Sequence, residues 1–457
     1  MSMTHDNAMP KVKFLTFNTW GLKYVSKHRS IRLRAIADKL SGKFGAIPLT
    51  ESLYGSSETY QESYHVPDND DDYDVIALQE IWVQEDWDYI TSRTRHVYPY
   101  SRLFSSGILT GPGLAILSKI PIEKTFLYRF PINGRPSAFW RGDWYVGKSL
   151  SVTILKPLNE KTPSLCILNS HMHAPYAQKG DAAYLCHRSC QAWDLSKLAK
   201  LYSKAGYAVV VVGDLNSKPG TLPHKFLTME TGLVDSFEQL HQNDLVSLDR
   251  IKTMTPWHQI IYGGTTCDSI LNTWRAQRKP WEACRLDYAL IDPNKLETVD
   301  ASVKFTERIP NIGSFSDHFA YSCTLQFKPI NNINKSKMEV ESREFLIQKL
   351  QNYNEMLSIL QDYNKTARWQ KTWRGFHFLI SSLYVIGVHV VVTFTAEKAG
   401  WSSVLWLFST VVVTVTGVLD GLISFLFGNK ELRALQEVSR EVLDSRSSLQ
   451  QELGNSY

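Results

Sequence analysis

The sequence predicts an α/β domain followed by a pair of membrane-spanning helices. From Val12 to Phe327, short strand-like runs alternate with helical stretches, and several runs are wholly apolar. Such runs are typical of mixed sheets whose faces are covered by helices. After Pro329 the composition changes, and two long apolar stretches follow. A chain of 457 residues is long enough for both parts.

The predicted domain spans residues 11–328, and its strands are rich in β-branched and aliphatic residues. The strand candidates are K-F-L-T-F-N, D-V-I-A-L-Q, G-L-A-I-L-S, S-L-S-V-T-I-L, L-C-I-L-N-S-H, A-V-V-V-V-G-D and L-D-Y-A-L-I-D. Residues 41–72 interrupt the alternation, and we interpret them as a flexible acidic insertion. A calcium loop would need a turn glycine and a distal glutamate that this segment does not place. Residues 1–10 contain no apolar targeting segment, and we expect them to be disordered.

The C-terminal region divides into a linker with a juxtamembrane amphipathic helix (329–375), a transmembrane hairpin (376–427) and a cytosolic helix (428–457). Each apolar stretch of the hairpin is long enough to cross about 30 Å of hydrocarbon. Basic residues flank the hairpin on both sides, which predicts that both of its ends face the cytosol. These flanking residues are Arg368, Lys371, Arg374, Lys430 and Arg433.

The second apolar stretch contains a G-x-x-x-G pair, Gly417 and Gly421, with Asp420 between them. Small residues at this spacing allow close helix approach, within one chain or in a homodimer. An acid in hydrocarbon needs a partner or a path to water. We expect Ser381 or Ser382 of the first helix, or the cytosolic surface, to satisfy Asp420.

Net charge argues against a nucleic-acid enzyme, and cysteine content favours a cytosolic protein. Fifty Lys and Arg against 45 Asp and Glu give a net charge of +5, whereas a nucleic-acid enzyme usually needs a concentrated basic face. Six cysteines form no C-x-x-C pair, which favours reduced thiols and a cytosolic domain. Cys186 and Cys190 flank His187, and this spacing beside aromatic residues favours a helix core over a metal site.

Residues 142–149 read G-D-W-Y-V-G-K-S and match the phosphate-binding loop of nucleotide triphosphatases. That loop holds phosphate because it opens a helix. Here Ser149–Leu155 alternates as a strand, which argues against nucleotide binding. A P-loop NTPase therefore remains only the less favoured alternative.

Polar side chains recur where the predicted strands end. These candidates are Asn18, Glu80, His171, His173, Asp214, Asn216, Asp287, Asp317 and His318. Carboxylate and amide oxygens suit Mg²⁺, and a histidine oriented by an acid suits proton transfer. Amide, histidine and metal donors stabilise the negative charge that develops on a phosphate. The set is therefore suited to phosphodiester hydrolysis.

The order of these residues closely resembles that of the DNase I-like (endonuclease/exonuclease/phosphatase) superfamily. The motifs F-N-T-W-G-L, Y-V-S-K-H-R, L-Q-E-I-W, S-H-M-H and G-D-W-Y-V-G-K resemble its neutral sphingomyelinase branch. This resemblance implies a four-layer α/β sandwich with two central mixed β-sheets, dependence on Mg²⁺ and activation by anionic phospholipids.

Carried over position by position, the resemblance makes Glu80 the main Mg²⁺ ligand, with Asn18 close to metal and phosphate. It makes His318 the general base or a phosphate-polarising group that Asp287 orients. Asp214 positions the attacking water or shares the role of base.

The remaining assignments concern the phosphate and the metal surroundings. The resemblance implies that Asn216 and His171 hold phosphate oxygens, and that Asp317 lies in the inner or outer shell of the metal. His173 shares a strand face with His171 and is given a supporting role.

For the loop at 142–149 we expect a charge pair between Asp143 and Lys148. This pair would position the loop near the catalytic pocket, and Lys148 could also meet a lipid phosphate. A surface ion pair without function is the alternative.

The implied activity is that of a membrane-anchored phospholipase C. Its expected substrates are inositol phosphosphingolipids, with sphingomyelin as a second one, and its products are ceramide and a phosphorylated head group. The expected partners are anionic phospholipids (phosphatidylserine, cardiolipin, phosphatidylglycerol) and the membrane, with no nucleic acid. The expected compartment is the endoplasmic reticulum, or else the mitochondrial outer membrane. A nucleic-acid phosphodiesterase on the same fold is the alternative function.

Overall fold

The computed structural model describes residues 9–42, 71–242, 246–329 and 342–455. Most of the expected N-terminal disorder, of the acidic insertion and of the linker after Pro329 lies outside these residues. The chain divides into two compact units. The sheet unit comprises Met1–Asn133, Asp143–Tyr176 and Gln191–Glu341. The helical unit comprises Gly134–Gly142, Ala177–Cys190 and Ser342–Tyr457.

The strands of the sheet unit form two six-stranded mixed sheets and one small hairpin. In chain order, β1 to β14 are Lys11–Asn18, Val75–Gln79, Tyr100–Leu103, Ala115–Ser118, Ile122–Arg129, Ser149–Leu155, Leu165–His171, Ala208–Asp214, Val234–Asp235, Asp287–Ile291, Leu296–Lys304, Arg308–Ile309, Gly313–Ser314 and Ala320–Phe327. The first sheet has the order β11-β14-β1-β2-β4-β3, and the second has the order β5-β6-β7-β8-β10-β9. Each sheet contains one parallel pair, β1 with β2 and β7 with β8, among antiparallel neighbours.

Helices alternate with strands in the sheet unit, and long helices make up the C-terminal region. In chain order, α1 to α11 are Arg29–Leu40, Gln84–Thr94, Asp143–Val146, Leu185–Lys204, Leu222–Lys225, Ser236–Leu240, Leu248–Thr253, Pro256–Gly263, Arg343–Thr395, Ser402–Leu422 and Gly428–Asn455. Two π-helical segments, Phe226–Glu230 and Ile423–Phe427, extend α5 and join α10 to α11.

The main hydrophobic core lies between the two sheets. Alternate residues of β1 and β2, such as Phe14 and Ala77, meet alternate residues of β7 and β8, such as Ile167 and Val210. Burying these faces removes apolar surface from water at roughly 25 cal/mol per Å². The intervening residues of β1 and β2 pack on the opposite face against α1 and α2.

Helix α4 covers the outer face of the second sheet. Tyr202 lies 6.4 Å from Phe126 of β5, and Ser203 donates a hydrogen bond to Asp292, which follows β10. The order is therefore helices, sheet, sheet and helix, which confirms the predicted α/β fold with two central mixed sheets. All seven predicted strands are present; the half-exposed strands β5 and β11 carry too many polar residues to stand out by composition.

A buried polar network joins the sheets close to the ends of their parallel strands. Gln79 of β2 donates to Asn169 of β7 over 2.8 Å and to Thr16 of β1 over 3.1 Å. Asn169 in turn donates to the carbonyls of Leu78 and Ala115. Because these groups are cut off from water, an unmatched partner would be costly, so the network favours one alignment of the two sheets.

The helical unit contains two apolar helical segments long enough to cross a membrane, by length and composition. The first lies in α9, which runs without a break from Arg343 to Thr395. The predicted juxtamembrane helix and first membrane helix are thus one helix, because no proline separates them and Gly375 at the predicted boundary stays helical. The second lies in the continuous run formed by α10, the π-helical segment and α11.

A buried polar cluster lies in the helical unit, outside its two apolar segments. The hydroxyl of Tyr363 donates to Glu431 over 2.5 Å, accepts from Arg135 over 2.9 Å and lies 3.3 Å from His187. Arg135 also pairs with Asp181. His187 is fully buried here, and Cys186 and Cys190 beside it are buried too, which confirms the core interpretation of this segment.

The partners of Asp420 differ from the serines that we expected. Asp420 pairs with Arg374 and lies 2.8 Å from His377, not with Ser381 or Ser382. Arg374 and His377 lie about one turn apart in α9 and both reach the acid, whereas Ser382 donates to a backbone carbonyl of its own helix. Gly417 and Gly421 both face α9 within the chain. A side chain at Gly417 would meet Ser381, and one at Gly421 would meet Phe378.

We predict that Gly417→Leu separates α9 from α10, because a Cβ at this position would come within 2.5 Å of Ser381. The measurement is disulfide cross-linking between Val385→Cys and Thr414→Cys, which line the space between the helices. The cross-linking yield should fall sharply. Gly387→Leu is the matched control because a side chain there meets nothing within 4 Å. Equal yields in the two variants would contradict close packing at Gly417.

Candidate active site

The functional side chains converge where the two parallel strand pairs end. Asn18 ends β1, Glu80 follows β2, His171 ends β7 and Asp214 ends β8. The side-chain amide of Asn18 donates to Glu80 over 3.1 Å and to Asp214 over 3.0 Å. One amide therefore bridges a carboxylate of the first sheet and a carboxylate of the second.

Glu80 is held in a strained turn at the end of β2. Its φ is +62°, a left-handed conformation that side chains rarely adopt and that functional sites often retain. Its second carboxylate oxygen accepts a hydrogen bond from the Trp82 indole over 3.3 Å. Burial and the nearby Asp317 carboxylate raise the pKa of Glu80, while Lys148 and Asn18 oppose the shift.

His318 lies between two buried carboxylates. Its Nδ1 is 2.8 Å from Asp287 Oδ2, and its Nε2 is 3.9 Å from Asp214 Oδ2. Burial alone would lower the pKa of His318, but Asp287 and Asp214 outweigh it and raise the pKa well above its usual value. Burial and the charge of Asp287 raise the pKa of Asp214 to about 7, against the opposing effect of His318.

His171 and Asn216 complete the second-sheet side of the pocket. His171 Nε2 is 3.5 Å from Asp214, and its Nδ1 has no hydrogen-bond partner among the described residues. Burial, then the charges of Lys148 and His318, lower the pKa of His171 well below its usual value. Asn216 donates its backbone N–H to Asp214 and its side-chain amide to the Met172 carbonyl.

Asp317 precedes His318 in the chain and pairs with an arginine. Arg275 donates to it over 2.5 Å, and the hydroxyl of Ser316 lies 3.4 Å from it. The same hydroxyl donates to the backbone carbonyl of Asn18 over 2.6 Å. The S-D-H motif is therefore attached directly to the end of β1.

The predicted Asp143–Lys148 pair forms, and it is buried rather than exposed. The ammonium of Lys148 is 3.3 Å from Asp143, which also accepts a hydrogen bond from Tyr176 over 2.7 Å. Lys148, His173 and Tyr176 together lower the pKa of Asp143 despite its burial. Lys148 also affects the pKa values of Glu80, His171 and Asp214, which places its charge at the pocket.

His173 contacts Asp143 of this pair. Its Nε2 is 3.6 Å from Asp143, and its Nδ1 is 2.8 Å from the Ala174 carbonyl. The loop contains only the four-residue helix α3, after which Gly147 leads into strand β6. The strand that we predicted after the loop is confirmed, and the helix that a phosphate-binding loop would open is not there.

Four residues that lie close to the site were not assigned to it from the sequence. They are Arg275, Trp82, Cys267 and Arg32. Arg32 is fully buried and donates to the backbone carbonyls of Thr19 and Trp20, just after Asn18, and of Phe315, three residues before His318. Arg32 lies among apolar residues on the buried face of α1, and an arginine at such a position in the sequence could have indicated a buried, hydrogen-bonded guanidinium. Arg275 and Cys267 lie in loops, where no periodicity marks them.

This constellation on two mixed sheets is matched by a family model described as "Endonuclease/Exonuclease/phosphatase family" over residues 15–318. The chain therefore belongs to the endonuclease/exonuclease/phosphatase family.

Similarity to particular proteins extends further along the chain. The chain is 59% identical to "Inositol phosphosphingolipids phospholipase C" of Saccharomyces cerevisiae, over 98% of this chain and 93% of that one. It is 34% identical to the protein of the same name in Schizosaccharomyces pombe, over 96% of this chain and 95% of that one. It is 31% identical to "Sphingomyelin phosphodiesterase 2" of Mus musculus, over 54% of this chain and 50% of that one. The resemblance to the neutral sphingomyelinase branch is confirmed.

We predict that Asp287→Asn lowers the pKa of His318, because the imidazolium loses its nearest negative charge. Proton NMR titration of the His318 ring measures this value directly. Phosphodiester hydrolysis should fall by about two orders of magnitude, while the thermal midpoint changes little. An unshifted His318 titration in the folded variant would refute the electrostatic role of Asp287.

Proposed function

We propose that this protein is a membrane-anchored, Mg²⁺-dependent phospholipase C that hydrolyses inositol phosphosphingolipids, and sphingomyelin as a second substrate. The observation that carries the proposal is the meeting of Asn18, Glu80, Asp214 and His318 at the strand ends. Relatives that are named for this activity over nearly the whole chain support it. The reaction class is phosphoric diester hydrolysis.

The pocket fits a hard divalent cation. The nearby Asp317 carboxylate destabilises the negative charge of Glu80, and a cation would relieve that repulsion. Glu80 would hold Mg²⁺ with Asn18 and with Asp317 nearby, all through oxygen atoms. The nearby group of Asp214, Asp287 and His318 could in principle hold a metal. The 2.8 Å hydrogen bond and the raised pKa of His318 favour a protonated imidazole there instead.

The bound cation supplies charge neutralisation at the phosphate. The chain's own residues perform the proton transfer. We assign Asp214 as the group that takes a proton from the attacking water, because its pKa of about 7 suits a base near neutrality. Water attacks phosphorus, the bond from phosphorus to the ceramide oxygen breaks, and the leaving oxygen takes up a proton from solvent to give the ceramide alcohol. Asp214 afterwards releases to solvent the proton that it took from the attacking water, so the net reaction adds one water across the bond.

Protonated His318 donates from Nε2 to a phosphate oxygen as negative charge develops there. Asp287 holds the opposite ring nitrogen and so directs Nε2 toward the cleft. His171 and Asn216 are assigned to the remaining phosphate oxygens, and the unpartnered Nδ1 of His171 supports this.

The two long apolar segments support a membrane anchor, and the basic residues that flank them support a cytosolic domain. We assign anionic phospholipids such as phosphatidylserine, cardiolipin and phosphatidylglycerol as activators, and the endoplasmic reticulum or mitochondrial outer membrane as the location. A tether is useful because ceramide-based lipids do not leave the bilayer. Fully exposed Trp140 suits contact with a membrane surface.

A substrate panel tests the reaction class. We expect purified protein to cleave inositol phosphoceramide, and sphingomyelin more slowly, with Mg²⁺ but not with EDTA, and to leave plasmid DNA and ATP intact. Glu80→Gln should lose about two to three orders of magnitude in turnover because the oxygen set loses its main charge. Glu85→Gln, on the exposed face of α2, is the matched control. Cleavage of DNA in preference to lipid would instead establish the nucleic-acid alternative.

The loop at 142–149 gives a second test. Lys148→Ala should sharply reduce lipid hydrolysis and weaken activation by phosphatidylserine, because the buried Asp143 then lacks its cation and the pocket loses a positive charge. Asp143→Ala should act in the same direction. Lys156→Ala, at an exposed position after β6, should behave as the parent does. Full lipase activity without Lys148, or micromolar ATP binding that needs Lys148, would overturn the assignment.

A further inference from the structure

Two cysteines lie opposite each other beside the catalytic histidine. Cys267 and Cys284 form an isolated antiparallel bridge, in which the backbone N–H of each donates to the carbonyl of the other over 2.9 and 3.0 Å. Cys267 also bridges to His318 on its other side, and its Sγ is 3.5 Å from His318 Nε2. The thiol thus contacts the nitrogen assigned to the phosphate.

The geometry of this pair suits a disulfide. Residues that exchange both backbone hydrogen bonds in an antiparallel ladder have Cα atoms about 5.5 Å apart. Disulfides usually join Cα atoms about 4.4–6.8 Å apart. Directly opposite residues of an antiparallel pair also place their side chains on the same face of the ladder. A bond between them therefore needs side-chain rotation rather than a change in the fold.

The two thiols differ in access and in reactivity. Cys267 is buried, whereas Cys284 is partly exposed and lines a cavity of about 420 Å³ together with Lys218 and Lys252. The neighbouring Cys267 thiol and the charge of Lys218 lower the pKa of the Cys284 thiol. By contrast, burial raises the pKa of Cys323 to about 12. Thiolate character and access are what make a cysteine reactive.

We propose that Cys284 and Cys267 are a peroxide-sensitive thiol pair whose reversible disulfide switches off hydrolysis at His318. Cys284 is the thiol that reacts first, and Cys267 is the thiol that resolves the product. The inhibitory part of this proposal rests on the role proposed for His318, whereas the disulfide itself does not.

The chemistry balances with hydrogen peroxide as the oxidant. The Cys284 thiolate attacks one peroxide oxygen, the O–O bond breaks, and the departing hydroxide takes a proton to become water. The Cys267 sulfur then attacks the sulfenic sulfur of Cys284, loses its proton, and the S–O bond breaks to release a second water. The thiol pair gives up two electrons, which reduce one peroxide to two waters. A dithiol reductant reverses the step by thiol–disulfide exchange.

The consequence for catalysis follows from the position of Cys267. In a disulfide its Sγ lies about 2.05 Å from the Cys284 sulfur. It can then no longer keep its present contact with His318 Nε2. The imidazole loses a neighbour that fixes its position, and Nε2 no longer points reliably at the phosphate.

The test uses the full-length protein in lipid vesicles, treated with graded hydrogen peroxide and then alkylated. Non-reducing peptide mapping by mass spectrometry should find a linked Cys267–Cys284 peptide, and lipid hydrolysis should fall by about tenfold or more as it accumulates. Dithiothreitol should restore both. Cys284→Ser should form no such link and should keep its starting activity under peroxide. Cys323→Ser, which removes a buried thiol elsewhere, should respond as the parent protein does.

Two results would overturn the proposal: inactivation by peroxide without the linked peptide, and a linked peptide that leaves hydrolysis unchanged. Equal inactivation of Cys284→Ser would also overturn it. The peptide map needs no lipid substrate. A chain that forms the link but never cleaves lipid would therefore support the modification site while refuting the proposed function.

Discussion

The site depends on the side-chain amide of Asn18, which is almost fully buried and donates to Glu80 on one side and to Asp214 on the other. An amide carries two N–H donors and no charge, so it can hold two carboxylates of different sheets close together without neutralising either. The backbone carbonyl of the same residue accepts from Ser316, which attaches the loop that carries His318. Losing Asn18 would therefore release Glu80, Asp214 and the loop of His318 together.

The fold behind the site is built to keep that bridge in place. The network of Gln79, Asn169 and Thr16 aligns the two sheets within their shared core, a few residues before the catalytic side chains begin. The strands then end in strained turns, with positive φ at Glu80 and Asn216. Such conformations cost of order 1–3 kcal/mol each and persist only where the surroundings hold them. Rigid sheets supply that support, and side chains at their ends gain fixed positions.

Much of this arrangement was predictable because strand ends leave a sequence signal. An apolar run that stops at an acid, amide or histidine marks both the strand and its outgoing side chain, as for Asp214 and His171. Arg275 and Cys267 could not be found in this way, because their relevance arises only when loops far apart in sequence meet at His318. The partner of Asp420 was mispredicted for a similar reason, since the reach of Arg374 along the helix pair is a tertiary property. The roles of the site residues stay predictions.

The acidic side chains of the site must be balanced by positive charge. Glu80, Asp214, Asp287 and Asp317 crowd one pocket, and the chain supplies Lys148, His318 and Arg275 against them. Arg275 pairs with Asp317, and His318 lies between Asp287 and Asp214. Lys148, Asn18 and His318 favour the charged form of Glu80, but they do not offset its burial and the charge of Asp317. A divalent cation at Glu80 would complete the balance and add the excess positive charge that an anionic phosphate needs. The same reasoning explains the letters G-K-S: Lys148 acts here as a buried countercharge to the acids, and a nucleotide is not needed to account for it.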